Sequence, residues 1–423
     1  MGNQIFAYLM NKKSGGMIGV NRSGYFLASL YKDGKEPNEI ARLFQANNPT
    51  SVSFERIKSL ATKFISQMEQ KGLFKDQLRI IQPKERFHPF TIQLDLSWDC
   101  NLKCLHCYLR DTRLILVPLA EEEWQGIIRQ AREMDIPKIA FLGGEPLLSP
   151  YFFRLAEYAY GLDFKLYTTT NGTLVDGGIA RDLLKVGFNE IDISLDGASA
   201  ETHQLLRGEG TFASMVEGAE HLVNVGLIVK SATVLHKKNI AEIWAILSLG
   251  KNLGFSEMYF NQLLPGGRGA DIWDDLLISF QEWMDVKEEI REWNRKNKKP
   301  RAFAENSFDF VRQIFQSLSF EGCEYAGCKA GKRELIITPD GFAVACPLLS
   351  TQREFHTLNV RERSLEEIWH SDEWICKLRD VNESTILGKC KTCPGLSICQ
   401  GGCHVLALFK RGALNEPDPR CPI

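Results

Sequence analysis

The chain of 423 residues contains twelve cysteines, and their uneven distribution is the feature that most constrains its fold. Three lie between Cys100 and Cys107, nine follow residue 320, and none lies between these two sets. Structural cysteines scattered at random would not leave that gap. Since cysteines in a long chain without secretory features are commonly metal ligands or catalytic thiols, the distribution predicts a metal-binding loop early in the chain and a second metal-binding region at its end.

The remaining composition is that of an ordinary globular protein. A formal net charge of −2 gives no indication of a nucleic acid or an anionic membrane as partner. No apolar run approaches the roughly 18–20 residues that span a bilayer, and the N-terminus lacks the basic-then-apolar order of a signal peptide. We therefore expect a soluble cytoplasmic protein that binds neither nucleic acid nor membrane.

Residues 1–75 predict a small separate unit. Two short apolar runs around the turn-rich residues 12–16 suit a β-hairpin. Three helical segments follow, and the last keeps a 3.6-residue apolar period from about residue 54 to residue 70. A hairpin with three helices predicts a winged-helix-like module. We interpret residues 76–90, which hold two prolines among mixed charges, as a linker.

Residues 91–310 predict a larger α/β domain. Six strand-like segments alternate with helical stretches up to about residue 265, which favours a parallel sheet. Their spacing suits a partial (β/α)6 barrel of the TIM type, in which the chemistry lies at the C-terminal ends of the strands. Residues 311–423 are rich in Gly, Pro and Cys and short of continuous apolar sequence, so they need cross-links or metals to hold their shape.

The first cysteine loop directly follows the first predicted barrel strand. Cys100, Cys104 and Cys107 have the spacing C-x3-C-x2-C. Three thiolates on a short loop can bind three irons of a [4Fe–4S] cluster and leave the fourth iron open, as in catalytic metal sites. The residues alone also allow a zinc site completed by His106, or a cysteine-rich loop without a metal.

This loop, followed by Tyr108, resembles the defining motif of radical S-adenosylmethionine (SAM) enzymes. Gly143-Gly144-Glu145-Pro146 resembles the family's GGEP motif, and residues 261–269 resemble the sixth-strand signature of its peptide-modifying branch. The resemblance implies that SAM chelates the open iron and is cleaved to a 5′-deoxyadenosyl radical. It also implies that the cofactor contacts are Tyr108, Gly143, Gly144, Glu145, Pro146, Thr169, Asn171, Ser194, Asp196 and Arg207. Strand-end capping or a surface ion pair is the alternative role of Thr169, Ser194 and Arg207.

The C-terminal cysteines resemble, in spacing, the SPASM domain that binds two auxiliary clusters. The resemblance implies that the first cluster is held by Cys328, Cys346 and Cys403, and the second by Cys390, Cys393, Cys399 and Cys421, which makes three [4Fe–4S] clusters in the chain. Cys323 matches an upstream cysteine that completes the first cluster in some members, although its spacing to Cys328 is one residue shorter. If Cys323 does not ligate, one iron is open to the substrate. The C-x2-C spacing also allows a pair of zinc ribbons.

Cys376 is left outside this pattern. It lies on a predicted helix beside Trp369 and Trp374. A buried free thiol is one interpretation, and a catalytic hydrogen-atom donor to a substrate radical is the other.

The first 75 residues resemble the peptide-recognition module related to the small peptide chaperone of the pyrroloquinoline quinone pathway. Such a module implies that a leader peptide adds as a strand to the edge of its sheet. The parts together imply a maturase of ribosomally made peptides that forms a thioether, carbon–carbon or ether cross-link and takes electrons from a flavodoxin or ferredoxin. The alternatives are an accessory domain without a peptide role, a sulfatase-maturing type of protein oxidase, a tetrapyrrole-modifying radical enzyme, and a non-catalytic electron carrier.

Overall fold

The computed structural model of the chain describes residues 7–11, 17–20, 22–47, 53–81, 88–109, 117–304 and 327–422. No helix within these residues combines the length and the apolar character needed to cross a membrane.

The first unit is a three-stranded antiparallel sheet with three helices. Its elements are β1 (Ala7–Asn11), β2 (Met17–Val20), α1 (Arg22–Lys32), α2 (Pro37–Asn47), α3 (Phe54–Gln70) and β3 (Leu78–Ile81). The strand order is β2-β1-β3. The helix α3 buries Ile57, Ala61, Ile65 and Met68, which repeat with the predicted helical period. The predicted hairpin and the three helices are therefore present.

The strand β3 corrects the predicted linker over residues 76–90. It pairs with β1, with Ile80 opposite Leu9, so the first unit extends to residue 81. The side-chain amide of Asn11 supports this junction, because it donates to the carbonyl of Gly72 and to Gln77 at 3.1 Å. A four-residue strand is too short for its alternation to be recognised in the sequence. The connection to the next domain includes residues 82–87, which lie outside the described residues.

Six parallel strands in chain order form the centre of the second sheet, as the sequence predicts. They are β4 (Thr91–Ser97), β5 (Lys138–Gly143), β6 (Lys165–Thr170), β7 (Glu190–Ser194), β8 (Ile228–Leu235) and β9 (Glu257–Gln262). The helices between them are α4 (Glu121–Glu133), α5 (Phe152–Gly161), α6 (Gly177–Lys185), α7 (Ala200–Arg207), α8 (Thr211–Asn224) and α9 (Ile243–Asn252). The α/β class is confirmed, and the short helix α7 is an element that the sequence did not predict.

Three further strands extend this sheet at its edges. After α10 (Gly269–Leu276) and α11 (Phe280–Lys296), β10 (Arg301–Phe303) lies parallel to β9. At the other edge, β11 (Glu334–Ile337) lies parallel to β4, and β12 (Ala343–Val344) lies antiparallel to β11. The predicted domain boundary at residue 310 does not separate two independent sheets, because β11 from the C-terminal region is part of the same sheet as β4.

The two faces of the parallel sheet differ in polarity. Because side chains alternate along a strand, Ile92 and Leu94 pack against the helices in the main apolar core, whereas Gln93 and Asp95 lie on the opposite face. A series of ion pairs follows that opposite face across the middle strands: Glu190 pairs with Lys165 at 2.5 Å and with Lys230 at 2.7 Å. This polar face lies beneath the strand ends that carry the candidate site.

The rest of the C-terminal region consists of turns and short helices. These helices are α12 (Leu365–Ser371), α13 (Glu373–Asp380), α14 (Leu396–Cys399) and α15 (His404–Arg411). Leu365 and Trp369 reach the main apolar core, whereas Ile386 and Cys390 belong to a small separate cluster. The end of the chain thus has little apolar packing of its own, as its composition predicts.

Candidate functional site

The first cysteine loop leaves the carboxyl end of β4. Cys100 is exposed on this loop, Cys107 is half-buried and Cys104 is buried. Parallel strands present their carboxyl ends at one edge of the sheet, and loops at that edge are where α/β folds place their sites. The loop is therefore in the position that the sequence predicts.

Glycines allow the end of β5 to approach the base of this loop. The backbone amide of Gly144 donates to the carbonyl of Ser97 at 2.8 Å, and that of Glu145 donates to the carbonyl of Asp99 at 2.8 Å. A Cβ atom at Gly143 would overlap the Ser97 carbonyl, and one at Gly144 would overlap the Asp99 carbonyl. Gly143 also has a φ of +111°, which favours glycine. Both glycines of the predicted motif are thus required by backbone contact with the cysteine loop.

The Glu145 carboxylate connects the end of β5 to the end of β6. It accepts hydrogen bonds from the Thr170 hydroxyl at 2.8 Å and from the backbone amide of Asn171 at 2.9 Å. The Asn171 amide group in turn donates to Asn101 of the cysteine loop at 2.9 Å. Pro146 is buried and begins a 3-10 turn, whose amide at Leu147 also donates to the carboxylate. The GGEP residues and Asn171 therefore brace the loop as one hydrogen-bonded unit.

The loop after β9 holds the cysteine loop from the other side. Arg268 donates through its backbone amide to the carbonyl of Cys107 at 2.9 Å and through Nε to the carbonyl of Cys104 at 2.8 Å. A Cβ atom at Gly267 would overlap the Tyr108 carbonyl. The sixth-strand signature thus has a physical role here, because its glycine and arginine hold the carbonyl groups of the cysteine loop.

A buried ion pair lies directly beneath Cys104. Arg207 donates through Nε to Asp196 at 2.6 Å, and its Nη1 lies 3.9 Å from the Cys104 sulfur. Nε2 of His106 is 3.4 Å from Asp196. Burial alone would raise the pKa of Asp196, but Arg207 and His106 lower it to about 2, so this carboxyl is ionised. Burial lowers the pKa of His106 to about 4, so its ring is neutral at pH 7.

Arg207 has a carboxylate partner within the chain, Asp196. Its predicted contact with the cofactor stays a prediction. Nε2 of His106 faces Asp196 and Arg207. In the described part of the chain Nδ1 of His106 is buried without a hydrogen-bond partner. An unsatisfied buried nitrogen is costly to the protein alone, which fits a polar group bound beside it.

A second polar network lies under the loop on the inner face of β4. Asp95 is fully buried and accepts a hydrogen bond from the Gln93 amide at 2.7 Å. Burial raises the pKa of Asp95 to about 6. Burial also raises the pKa of Tyr108 well above its usual value, and the charges of Asp95 and Cys107 raise it further. Tyr108 therefore stays a neutral phenol between the cysteine loop and Asp95.

Thr169 and Ser194 lie on the same face of the sheet as predicted. The Thr169 hydroxyl lies 3.2 Å from the Tyr167 phenol, which donates to Asp192 at 2.6 Å. Ser194 is buried at the end of β7, where it pairs in register with Ala232. The structure brings these residues to the strand ends around the cysteine loop. Their contacts with a cofactor stay a prediction.

The C-terminal cysteines lie near one another in two sets. Burial raises the pKa of Cys346 well above its usual value, and Cys403 and Cys328 raise it further. Burial also raises the pKa of Cys399 to about 12, with Cys421 and Cys390 as the neighbouring thiols that add to it. The binding of one cluster by each set stays a prediction. Cys323 lies outside the described residues.

The buried thiols of these groups are suited to binding iron. Across the described ranges, no three His, Cys, Asp or Glu side chains converge on a point where they would hold a single metal ion. The cysteines of a cluster each bind their own iron. The raised pKa values of the buried thiols Cys104, Cys346 and Cys403 mean that bare thiolates are unfavourable there, and bound iron would stabilise them.

Cys376 belongs to neither group. Its thiol donates to the carbonyl of His370 at 3.3 Å, within its own helical region. After burial, which raises the pKa of Cys376, the charges that act on it most are those of Arg379, Asp380 and Asp372. The hydrogen-donor hypothesis stays a prediction without a supporting contact.

Sequence reasoning missed several residues that support the site. Asp95 and Gln93 were read only as part of a strand, although two polar residues on alternate positions of an otherwise apolar strand are a signal of a polar inner face. His203 of α7 and His236, directly after β8, both lie near Asp196 in space, and neither was singled out. Asp418 and Arg420, between the last two described cysteines, were not singled out.

Comparison with family models agrees with both cysteine regions. The model described as the radical SAM superfamily matches residues 98–250, and the model described as an iron–sulfur cluster-binding domain, SPASM, matches residues 328–394. Among curated proteins, the mycofactocin maturase MftC of Mycobacterium tuberculosis (strain ATCC 25618 / H37Rv) is 28% identical over 347 residues, which cover 81% of this chain and 86% of that protein. The AdoMet-dependent heme synthase of Methanosarcina barkeri (strain Fusaro / DSM 804) is 30% identical over 348 residues, which cover 79% of this chain and 96% of that protein.

Two solved structures have the same fold, and they match different fractions of this chain. Streptococcus suis SuiB bound to its precursor peptide SuiA matches with a TM-score of 0.73 and 19% identity, covering 98% of this chain and 96% of SuiB. Native anSMEcpe with bound AdoMet matches with a TM-score of 0.62 and 20% identity, covering 79% of this chain and 94% of anSMEcpe. The likeness to SuiB therefore extends across nearly the whole chain, whereas the likeness to anSMEcpe leaves about a fifth of it unmatched.

Proposed function

Since this chain belongs to the radical SAM superfamily and carries an iron–sulfur cluster-binding SPASM domain, we propose that it is a maturase that cross-links a ribosomally synthesised peptide. The observation that carries this proposal is the likeness in fold to the peptide-bound SuiB structure over 98% of the chain, which includes the first unit. The relation to mycofactocin maturases supports the same substrate class. The bond formed is a thioether or a carbon–carbon bond.

Three cysteine sets would hold three [4Fe–4S] clusters. Cys100, Cys104 and Cys107 would hold the cluster that binds SAM, and together these two cofactors supply a radical able to abstract a hydrogen atom from the substrate. The auxiliary clusters would be held by the sets Cys328, Cys346 and Cys403, with Cys323 as a further ligand of this first set, and Cys390, Cys393, Cys399 and Cys421.

The chain's own residues position these groups. The predicted cofactor contacts surround the first cysteine loop at the strand ends: Tyr108, Gly143, Gly144, Glu145, Pro146, Thr169, Asn171, Ser194 and Asp196. Gly143 and Gly144 bring backbone polar groups beside the cysteine loop, and Arg268 fixes the carbonyls of Cys104 and Cys107. Arg207 holds the Asp196 carboxylate in place, so it orients the site through that residue. The neutral Tyr108 phenol packs between the loop and Asp95 and helps to exclude water from the inner face.

The first unit would recognise the leader of the precursor peptide. In the order β2-β1-β3, β2 and β3 each pair with β1 along one side, and their other sides form the edges of the sheet. An extended peptide that adds to such an edge gains backbone hydrogen bonds. Binding a leader peptide in this way is the role expected of a winged-helix-like module related to the peptide chaperone of the pyrroloquinoline quinone pathway. We place the enzyme in the cytoplasm, where its thiols stay reduced and a flavodoxin or ferredoxin is available as electron donor.

Deletion of residues 1–81 tests this proposal, with the full chain as its control. The cut follows β3, because β3 is part of the first sheet. Both proteins are reconstituted anaerobically and given short peptides encoded beside the gene, and three quantities are measured: peptide affinity, SAM cleavage and the mass of the peptide. We expect the deletion to abolish peptide binding and mass change while SAM cleavage continues. Unchanged peptide affinity would contradict the recognition role of the first unit.

A tetrapyrrole substrate is the second candidate, because the heme synthase of M. barkeri is a relative at 30% identity. The same preparation is therefore given an iron-containing coproporphyrin in place of the peptide. Conversion of the tetrapyrrole with no change in any peptide would overturn the peptide assignment. A mass change in the peptide alone would support it.

A further inference from the structure

A buried ion pair lies between the two C-terminal cysteine groups. Arg420 donates through Nε to one oxygen of Asp418 at 3.1 Å and through Nη2 to the other oxygen at 2.8 Å. The Asp418 side chain is fully buried, and that of Arg420 is 11% exposed. Two parallel bonds from a planar guanidinium to one carboxylate fix the orientation of both groups. The pair is therefore an ordered charge pair inside the protein.

Asp418 holds the backbone of both cysteine groups. Its Oδ2 accepts a hydrogen bond from the amide of Cys403 at 2.9 Å, and its carbonyl accepts one from the amide of Cys421 at 3.0 Å. Gly402 packs against Asp418 so closely that a Cβ atom would overlap its side chain, and its φ of +82° favours glycine. The chain reversal between the groups is thus built on this aspartate. The same carboxylate oxygen contacts Cys403 and Arg420, which brings the guanidinium next to the first group.

Arg420 also reaches the main sheet. Its Nη1 donates to the side-chain oxygen of Gln262 at 3.1 Å, and Gln262 is the last residue of β9. The guanidinium therefore has two fixed partners, the Asp418 carboxylate and the end of the sixth strand, and the carboxylate oxygen that it shares is also bound by the Cys403 amide. The positive charge of Arg420 therefore stays at a fixed distance from the neighbouring cysteine groups.

We propose that Arg420 is a positioning residue that raises the reduction potential of the first auxiliary cluster, the one assigned to Cys328, Cys346 and Cys403. This inference rests on the cluster ligands in the proposed function. Reduction adds one negative charge to a cluster, and a nearby buried cation stabilises the added charge. Because the guanidinium shares Oδ2 of Asp418 with the Cys403 amide, we expect its effect on the second cluster to be smaller. The ion pair therefore separates the potentials of the two clusters.

A redox titration of the full-length reconstituted protein, followed by electron paramagnetic resonance, tests the inference. The variant Arg420→Gln removes the charge, Arg420→Lys keeps it without the planar fork, and Arg363→Gln is the control, since Arg363 is exposed and pairs weakly with Glu367 at 4.0 Å. The signal of the first cluster is assigned by its absence in Cys346→Ala. We expect Arg420→Gln to shift the midpoint of that cluster to a more negative potential and to shift the second cluster less. Arg420→Lys should give a smaller shift, and Arg363→Gln none.

Iron content separates an electrostatic role from a structural one. If Arg420→Gln keeps its iron and both midpoints stay at the wild-type values, the inference is wrong. If Arg420→Gln loses iron, the uncharged variant Arg420→Met is titrated instead, and an unchanged midpoint there likewise contradicts the inference. An iron-loaded enzyme that cleaves SAM but modifies no peptide would count against the proposed substrate and leave the role of Arg420 standing.

Discussion

The two cysteine-bearing regions differ in what holds them in place before iron is bound. The loop of Cys100, Cys104 and Cys107 is fixed by backbone and side-chain hydrogen bonds from residues that follow β5, β6 and β9. The last cysteines lie among turns, and α14 is only four residues long. In the first region, hydrogen bonds from the sheet hold the cysteines in position. In the second region, we expect bound iron to stabilise the fold. Cysteine ligands can therefore be positioned either by the sheet or by the metal itself.

Removal of iron should show the largest difference between the regions. Because buried thiols and short helices replace a core at the end of the chain, we expect amide hydrogen exchange over residues 388–422 to rise by orders of magnitude in iron-free protein. The strands β4 to β8 should stay protected, since none of the fully buried side chains of their core is a cysteine. The measurement is exchange followed by mass spectrometry on matched iron-loaded and iron-free samples. Equal loss of protection in both regions would show that the first cysteine loop also depends on iron.

Loss of the ion pair beneath the first loop should have the next largest effect. Arg207→Ala leaves the fully buried carboxylate of Asp196 without its partner, which costs about 3–5 kcal/mol in the free energy of unfolding. The control is Arg154→Ala, whose bridge to Glu121 lies on the surface at 2.6 Å, where solvent screening leaves it little effect on stability. Denaturant unfolding under anaerobic conditions measures both. Similar losses in the two variants would mean that the charge beneath Cys104 is already solvated.

Asp95 on β4 should make the free energy of unfolding depend on pH, because its ionised form is destabilised by burial. Its pKa is about 6 in the folded protein, against about 3.9 in the unfolded chain. Because the folded protein holds the Asp95 proton more tightly than the unfolded chain, the contribution of this carboxyl to stability is complete below about pH 4. It is lost as the pH rises through 6. Relative to Asp95→Asn, the wild type should lose up to about 3 kcal/mol between pH 4 and pH 7.

The difference in the free energy of unfolding between wild type and variant, measured at several pH values, checks this. The control is Asp176→Asn, because the backbone amides of Ile179 and Gly178 lower the pKa of Asp176. Its contribution is present above the unfolded pKa and is lost as the pH falls, so the sign of the dependence is opposite. If the difference for Asp95→Asn does not change with pH, Asp95 is not a desolvated carboxyl.

The contrast between the regions also explains which features could be predicted from sequence. The six parallel strands and both cysteine sets were predictable, because alternation of strand and helix and cysteine spacing are local patterns. β3 was missed because four residues show no clear period, and the pairing of Arg207 with Asp196 was not predicted. The pairing of Arg207 with Asp196 depends on how α7 packs beside β7, and the pairing of Arg420 with Gln262 joins positions far apart in the chain. Long-range electrostatic pairs leave no local trace in a single sequence.

Cys376 should show the smallest effect, and it tests whether every cysteine of the C-terminal region takes part in the metal chemistry. Its thiol makes one hydrogen bond, to His370, so Cys376→Ala should change the free energy of unfolding by less than about 1 kcal/mol. Iron content, SAM cleavage and peptide conversion should equal those of the wild type. The matched variant is Cys390→Ala, which should lose iron because burial and the neighbouring thiols Cys421 and Cys393 place Cys390 within the second group. If Cys376→Ala keeps all its iron yet cleaves SAM without forming product, the thiol supplies a hydrogen atom after all, and the second region contributes catalytic chemistry as well as cluster ligands.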